Sequence, residues 1–581
     1  MQNTPHINYF AQTDFRGKKK VFGIKSEDRS KHLYVIGKTG MGKSTMLENM
    51  AIQDIKNGEG MAFLDPHGKS AQLLLDYVPA ERIKDVVFFA PYDLEHPIAF
   101  NIMEDVGKDE RHLVSNGLMA TFKKIWEDAW SARMEYILTN TILALLEYPG
   151  STLLSVNRML SDKKFRKKVV DNITDPSVKS FWVDEFANYT ERFAAEATPA
   201  IQNKVGQFTS NPLIRNIIGQ PKSSFDLRKL MDEKKILIVD LSKGRVGEQN
   251  VDLLGGMLVT KIYLAAMSRA DKTDAELRNL PPFYLYVDEF QSFVNESFAD
   301  ILSEARKYKL SLTIAHQYIE QMPENVRHAV LGNVGTTIAF RVGPFDAEIL
   351  ETVFTPTFLQ EDLINLGIFQ IYLTMMIDGV GSKPFSATTI PPIVSLEDSH
   401  REEIIDSSRQ VFARPRALVE KEIQTEFIEI KPEVKSETKP EIKSERPLGE
   451  IKKEMVKSTD REKVIEKKEE PVVSDQKENK KEDLSWALRN KPDVQKKSPT
   501  ISLRDLPAKQ KKGSTANRSE LRSALASLLG NRTEAPKTDS LKQEKVEVKI
   551  PNQSFSNLEE NRAKEIPEDV LRKALEVDSE K

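Results

Sequence analysis

The chain contains no cysteine among its 581 residues. Disulfide staples, thiolate zinc sites and a cysteine nucleophile are thereby excluded, and the composition fits a reducing compartment. Long apolar runs are missing too. The start, MQNTPHINYFAQTDFRGKKK, holds no stretch of the length a signal peptide needs. The longest apolar candidate, Gly255 to Met267, falls short of the ~18 residues of a membrane span and carries Lys261, so it reads as a buried core helix. A cytoplasmic protein is the expectation. An excess of either charge is also absent. With 85 Lys+Arg against 88 Asp+Glu there is no whole-chain basic field, and any nucleic-acid surface must be local.

This near-neutral average hides a break. Residues 411–581 hold 38 Lys+Arg and 34 Asp+Glu but only four aromatics, Phe412, Phe427, Trp486 and Phe555, against 40 aromatics in residues 1–410. So charged a segment with so few aromatics cannot build a core. From about Ser395 the chain is expected to be a solvated, disordered tail, rich in Glu, Lys, Pro and Ser. Three short islands, Leu484–Leu488, Leu521–Leu529 and Ile566–Leu575, have the pattern of small amphipathic helices that could dock on a partner.

Ahead of the tail, short β-rich runs alternate with helical patterns: His32–Ile36, Met61–Leu64, Val86–Phe89, Ile236–Val239, Tyr284–Val287, Leu312–Ala315 and Thr336–Phe340. Most are apolar throughout, as strands buried on both faces of a parallel sheet are. The reading is an α/β fold with helices on both sides. Between residues 108 and 225 apolar residues recur at helical spacing, beginning Trp126, Trp130, Met134, Ile137, Leu138. An all-helical insertion therefore splits the α/β domain into a first part, 1–107, and a second part, 226–394, with the tail at 395–581. An Asp378-Gly379 turn between Ile371–Ile377 and Lys383–Ile390 predicts a closing hairpin.

The strongest motif is Gly37-Lys38-Thr39-Gly40-Met41-Gly42-Lys43-Ser44, which satisfies GxxxxGK[ST] between an apolar strand and the helix-forming run Ser44–Ile55, with Thr45 a further nucleotide-binding candidate. Glycines let consecutive backbone N–H groups curl around phosphate oxygens, and the new helix presents its free N–H groups to the same anion. Lys43 is placed to reach the β and γ phosphates of ATP, and Ser44 to ligate Mg²⁺. An acidic pair should complete the metal shell. Asp288 and Glu289, at the end of the apolar run Phe283–Val287, are the candidates, Asp288 toward Mg²⁺ and Glu289 as general base. Gln317 follows the neighbouring strand and could sense the γ-phosphate or orient water. Arg306 is the first choice for an arginine donated across a subunit boundary, and Arg341 the second. Asp65-Pro66-His67-Gly68 ends another strand, so it combines turn chemistry with a place at the ligand-binding edge of the sheet.

Taken together, GKTGMGKS, DPHGKS, the helical insertion, LYVDEFQSF and ARKYKLSLTIAHQY resemble the TraG/TraD-type coupling ATPases of conjugation and type IV secretion, over roughly residues 15–395. These belong with HerA and FtsK among RecA-like DNA-pumping motors. The resemblance implies a RecA-like P-loop core, a hexameric ring that threads DNA, and ATP hydrolysis at subunit interfaces. It also implies that the insertion engages substrate. Carried across, Lys43 and Ser44 match the Walker A, Asp288 and Glu289 the Walker B, and Gln317 the strand-end glutamine, while Arg306 falls where an arginine finger is often proposed.

Membrane-bound members begin with transmembrane helices, which are not read here. A membrane-anchored, relaxosome or secretion partner docked through the tail would then hold the protein peripherally at the inner membrane. A HerA-like motor for DNA end processing or repair, and a motor that moves secreted proteins, stay open as alternatives. Sequence-independent DNA contacts would come from basic clusters such as Arg16–Lys20 and Lys163–Lys168.

Overall fold

The computed structural model describes residues 6–428, apart from 15–16, 105, 296–297 and 395–397. The three tail islands lie outside the described residues. The strands are β1 (Ile7–Thr13), β2 (Val21–Lys25), β3 (Leu33–Ile36), β4 (Gly60–Asp65), β5 (Val86–Phe89), β6 (Ile236–Asp240) and β7 (Phe283–Val287). They continue with β8 (Leu310–His316), β9 (Thr336–Ala339), β10 (Gln370–Thr374), β11 (Met376–Ile377), β12 (Val380–Gly381) and β13 (Phe385–Thr389). Eleven of them form one sheet in the order β2-β1-β13-β10-β9-β3-β8-β7-β4-β6-β5. From β9 to β5 every neighbouring pair is parallel. The fold is α/β with a large, mostly parallel central sheet that leads into the P-loop, as read from the sequence.

The apolar runs are continuous because both faces are covered. Leu33 and Val35 of β3 enter one hydrophobic core, shared with Met46, Leu47 and Met50 of the helix Lys43–Lys56. Tyr34 and Ile36 enter the other, shared with the helices of the insertion. Alternate side chains of one strand thus feed two different cores. Helices run between Arg111 and Ile218 in the expected insertion, and their apolar stripes share a core with the sheet instead of closing a separate one.

Two features go beyond the sequence reading. The hairpin β1–β2 adds an antiparallel wing, with β1 joined to β13 and β13 to β10. Its anchor is a buried polar knot. Arg29 forms a two-pronged ion pair with Asp54, both contacts 2.8 Å, and stacks 3.6 Å over the Tyr284 ring, while Asn8 donates to the same carboxylate at 2.9 Å. The expected hairpin around Asp378-Gly379 is present as β11–β12, its two turn N–H groups donating to Asp28.

The second feature corrects the boundary at 395. Helices Arg401–Phe412 and Arg416–Ile428 pack on the body. Ser408 accepts the Phe88 N–H of edge strand β5 at 2.9 Å, Arg409 pairs with Asp93 at 2.7 Å, and Val419 and Ile423 form a small core with Leu154 of the insertion. Each helix spends only a few positions on burial, so its composition looks like tail.

Among the described residues one helix is long and apolar enough to cross a membrane, Glu248–Asp271, and 78% of its apolar window is buried inside the fold. The segment Gly255–Met267 is thus part of a core helix, as expected.

Ile404, Val419 and Ile423 are buried, and such side chains contribute about 1.5–3 kcal/mol each. A chain ending at residue 398 is therefore expected to unfold at lower urea than one ending at 428, whose midpoint should match the full chain. Coincident midpoints for 1–398 and 1–428 would show that the two helices add nothing to the body.

Candidate functional site

The parallel strands bring their C-terminal ends to one edge, and the motifs singled out in the sequence meet there. β8 lies between β3, which leads into the P-loop, and β7, which ends at Asp288. The helix Lys43–Lys56 starts directly from Gly42, with its first N–H groups directed into the loop. Gly42 has φ +113°, and a Cβ there would sit 2.7 Å from the Phe369 ring, so only glycine fits. Lys43 is buried and donates to the carbonyls of Gly37 at 2.6 Å and Lys38 at 3.3 Å. Burial draws its ammonium below the ordinary lysine range, while Glu289 and Asp288 oppose that shift.

Ser44 Oγ donates to Asp288 Oδ2 at 2.9 Å, so the hydroxyl and carboxylate expected to share a metal already touch. Burial, with Glu289 and Asp65 close by, pushes the Asp288 carboxyl up to about 6 against the bond from Ser44. A buried carboxylate beside a helix-start hydroxyl is a donor set that suits a hard divalent cation. Glu289 stands in the left-handed region at φ +48°, a costly place for a side-chain-bearing residue. Both of its carboxylate oxygens are engaged. Gln317 Nε2 donates to one, and Gln291 Nε2 donates to the other at 2.5 Å. Gln317 also accepts from Thr39 Oγ1 of the P-loop at 3.0 Å, which bridges loop and carboxylate.

Asp65 closes its own turn, accepting from the N–H groups of His67 at 2.8 Å and Ala71 at 3.0 Å, and it lies near Asp288 as well. Arg341 sits at this edge through its backbone, whose carbonyl accepts the Lys38 N–H at 2.8 Å. Arg306 does not. It precedes β8 at the opposite edge of the sheet, in the 3-10 helical turn Ala305–Tyr308, with its side chain exposed. Lys18, Lys19 and Lys20 are exposed between β1 and β2. In the second basic cluster Arg166 is taken up by the carbonyls of Met159 and Leu160, leaving Lys163, Lys164, Lys167 and Lys168 on the exposed face.

Sequence reasoning overlooked several neighbours. Glu48, one turn into the P-loop helix, accepts from Ser70 at 2.7 Å, and burial raises its carboxyl. Asp240 at the end of β6 gathers Tyr92, Gln72 and Ser242. Gln291 stands two residues beyond Glu289 in DEFQSF, and that adjacency was the only available signal.

The profile of the type IV secretory system conjugative DNA transfer family matches residues 8–333, from β1 to the threshold of β9. The chain belongs to this family. Solved structures similar to it include the plasmid coupling protein TrwB in complex with ADP and Mg²⁺, at 13% identity and a TM-score of 0.46 over 67% of this chain and 90% of that one. VirB4 of Thermoanaerobacter pseudethanolicus is similar at 14% identity and a TM-score of 0.45, over 68% and 98%. The genome packaging NTPase B204 from Sulfolobus turreted icosahedral virus 2 matches over 29% of this chain and 72% of its own, at 12% identity and a TM-score of 0.20. No curated protein matches.

One buried group beside the site yields a test of this geometry. His316 ends β8, and burial lowers its imidazole from 6.5 to about 3, so it is neutral in the fold. A group whose folded pKa is depressed stabilises the fold fully above its unfolded value and loses that contribution as pH falls from 6.5 toward 3. Unfolding at pH 5 is expected to take up about one proton at this residue, costing about 2 kcal/mol relative to pH 7. His316→Asn should flatten the fall in urea midpoint between pH 7 and 5. An unchanged slope would mean that the ring is already protonated in the fold.

Proposed function

We propose that this family member is an ATP-hydrolysing coupling motor that moves DNA for conjugative or type IV secretion transfer, working as a ring of identical subunits, six of them by the resemblance alone. The observation that carries the reading is the Ser44–Asp288 contact, with Glu289 and Gln317 beside it. Two motifs 244 residues apart in sequence close on one another at the mouth of the phosphate loop.

In this reading the backbone N–H groups of Gly40, Met41, Gly42, Lys43, Ser44 and Thr45 hold the ATP phosphates, with Gly37, Lys38 and Thr39 shaping the loop. Lys43 exchanges its loop carbonyls for phosphate oxygens. Ser44 and Asp288 would hold Mg²⁺, which would neutralise charge on the nucleotide's phosphates. Glu289 takes the proton of the attacking water, and Gln317 links that carboxylate to the loop through Thr39.

Arg306 is proposed as the arginine that completes a neighbour's site. Lying at the edge opposite its own P-loop, it cannot serve its own nucleotide, whereas a group acting across a subunit boundary must face outward. The exposed lysines 18–20 and those of the helix Lys163–Asn172 are proposed as backbone contacts for DNA. The insertion is proposed as the substrate-engaging domain, the residues beyond 428 as the docking tail, and the protein as cytoplasmic with peripheral attachment at the inner membrane.

Steady-state ATP hydrolysis with and without DNA tests the proposal. DNA is expected to stimulate turnover in a salt-dependent way, Lys43→Ala to abolish it, and Glu289→Gln to bind ATP while hydrolysing it at least a hundredfold more slowly, on the order of the loss of a catalytic base. A rate that is the same with and without DNA would refute DNA movement and leave a motor for protein substrates.

A further inference from the structure

The carboxylate of Glu289 is reached from two directions, and one of them starts in the helical insertion. After Glu289 the chain makes a single tight turn, Phe290–Ser292. Short helical turns leave their last carbonyls without internal partners. The carbonyls of Gln291 and Ser292 both accept from one ammonium, Lys124 Nζ, at 2.6 and 2.7 Å. Lys124 lies in the last turn of the helix Arg111–Ile125, the first helix of the insertion. The same helix meets the loop again where Asn295 Nδ2 donates to Thr121 Oγ1 at 3.2 Å.

That helix is firmly seated. A Cβ on Gly117 would lie 2.5 Å from the Thr260 side chain, so it runs in close contact with the core helix Glu248–Met267. The loop it holds carries a residue in a costly backbone conformation, and such residues persist only where surroundings fix them. From this loop Gln291 Nε2 donates to Glu289 Oε2, while the side-chain oxygen of Gln291, Oε1, is buried without a protein partner. On the far side, Gln317 and Thr39 connect Glu289 to the phosphate loop. Asp252 and Lys243 are charged groups that act on Lys124 electrostatically, the first holding its ammonium charged and the second opposing it.

We infer that Lys124 and Gln291 form a positioning relay through which the helical insertion sets the Glu289 carboxylate, so that DNA bound to the insertion alters the hydrolytic step and not nucleotide affinity. The inference rests on the ATPase reading above. Lys124 touches neither substrate nor phosphate. It acts by fixing the turn that aims Gln291.

The test uses the full chain with Lys124→Met, Lys124→Arg, Gln291→Ala and the double variant Lys124→Met/Gln291→Ala. ATP hydrolysis is measured with no DNA and with mixed-sequence single- and double-stranded DNA, and backbone hydrogen exchange of residues 290–295 is measured without nucleotide. Lys124→Met and Gln291→Ala are expected to lower kcat about tenfold with KM for ATP within about twofold, and to lose stimulation by DNA. The double variant should be no worse than the more damaged single one, because both break one chain of contacts. Lys124→Arg, which can still donate to both carbonyls, should restore turnover. Exchange in 290–295 should quicken in Lys124→Met and return to the wild-type rate in Lys124→Arg. Additive losses, a change confined to KM, or full DNA stimulation in Lys124→Met would overturn the relay. A wild-type chain that hydrolyses no ATP would overturn the functional reading and the relay with it, whereas a hydrolysing wild type equalled by Lys124→Met overturns the relay alone.

Discussion

The insertion of β8 between β3 and β7 is the constraint on which the candidate site depends. Neighbouring strands stand about 4.8 Å apart, so the P-loop strand and the acidic strand are separated by about twice that distance. The separation is too wide for the strand ends to touch directly. It is bridged from above by the helix start, which carries Ser44 over to Asp288, and from between by Gln317 at the end of β8, which reaches Thr39 on one side and Glu289 on the other. Because all three strands are parallel, their reactive ends share an edge without any loop having to travel around the sheet.

The two faces of that sheet do different work. On one, the P-loop helix packs through Met46, Leu47 and Met50 and ties the phosphate loop to the antiparallel wing, where Asp54 on the same helix closes the knot with Arg29 and Asn8. On the other, the helices of the insertion extend the core of Tyr34, Ile36 and Val287. A shift of the insertion cannot leave the strand ends untouched when the same side chains fill both, since close-packed interiors transmit displacement. The helices Arg401–Phe412 and Arg416–Ile428 close the circuit, the first lying on β5 and the second against the insertion at Leu154 and Asn216.

What could be read without coordinates was whatever the chemistry forces into local sequence. The phosphate loop must be glycine-rich and must precede a helix, and strands buried on both faces must be apolar throughout, so residues 37–44 and the strands from β3 to β9 were legible. Contacts made by common residues through the backbone were not. Lys124 meets the loop through two carbonyls, which no residue type encodes, and it sits beside another lysine in an amphipathic helix where a solvated face is the simpler reading. The β1–β2 wing escaped because its strands alternate and turn in a lysine-rich tip. The two closing helices escaped because the residues they bury are few and scattered among charges, so the composition of the tail concealed them.

The arrangement around Glu289 also explains why a carboxylate can be kept ready without being left loose. A free carboxylate at a partly buried edge would draw solvent or fold onto Lys43. Here each oxygen is held by an amide, and each amide answers to a different part of the molecule, one to the phosphate loop through Thr39 and one to the turn fixed by Lys124. Amides suit the role proposed for Glu289 because they carry no charge and hold a carboxylate without forming an ion pair with it. A lysine in the position of Gln291 would instead form an ion pair, which favours the ionised carboxylate and opposes the proton uptake proposed for it. Glutamine on both sides is thus the arrangement that the proposed role of Glu289 calls for, a carboxylate held in place by its surroundings without an ion pair.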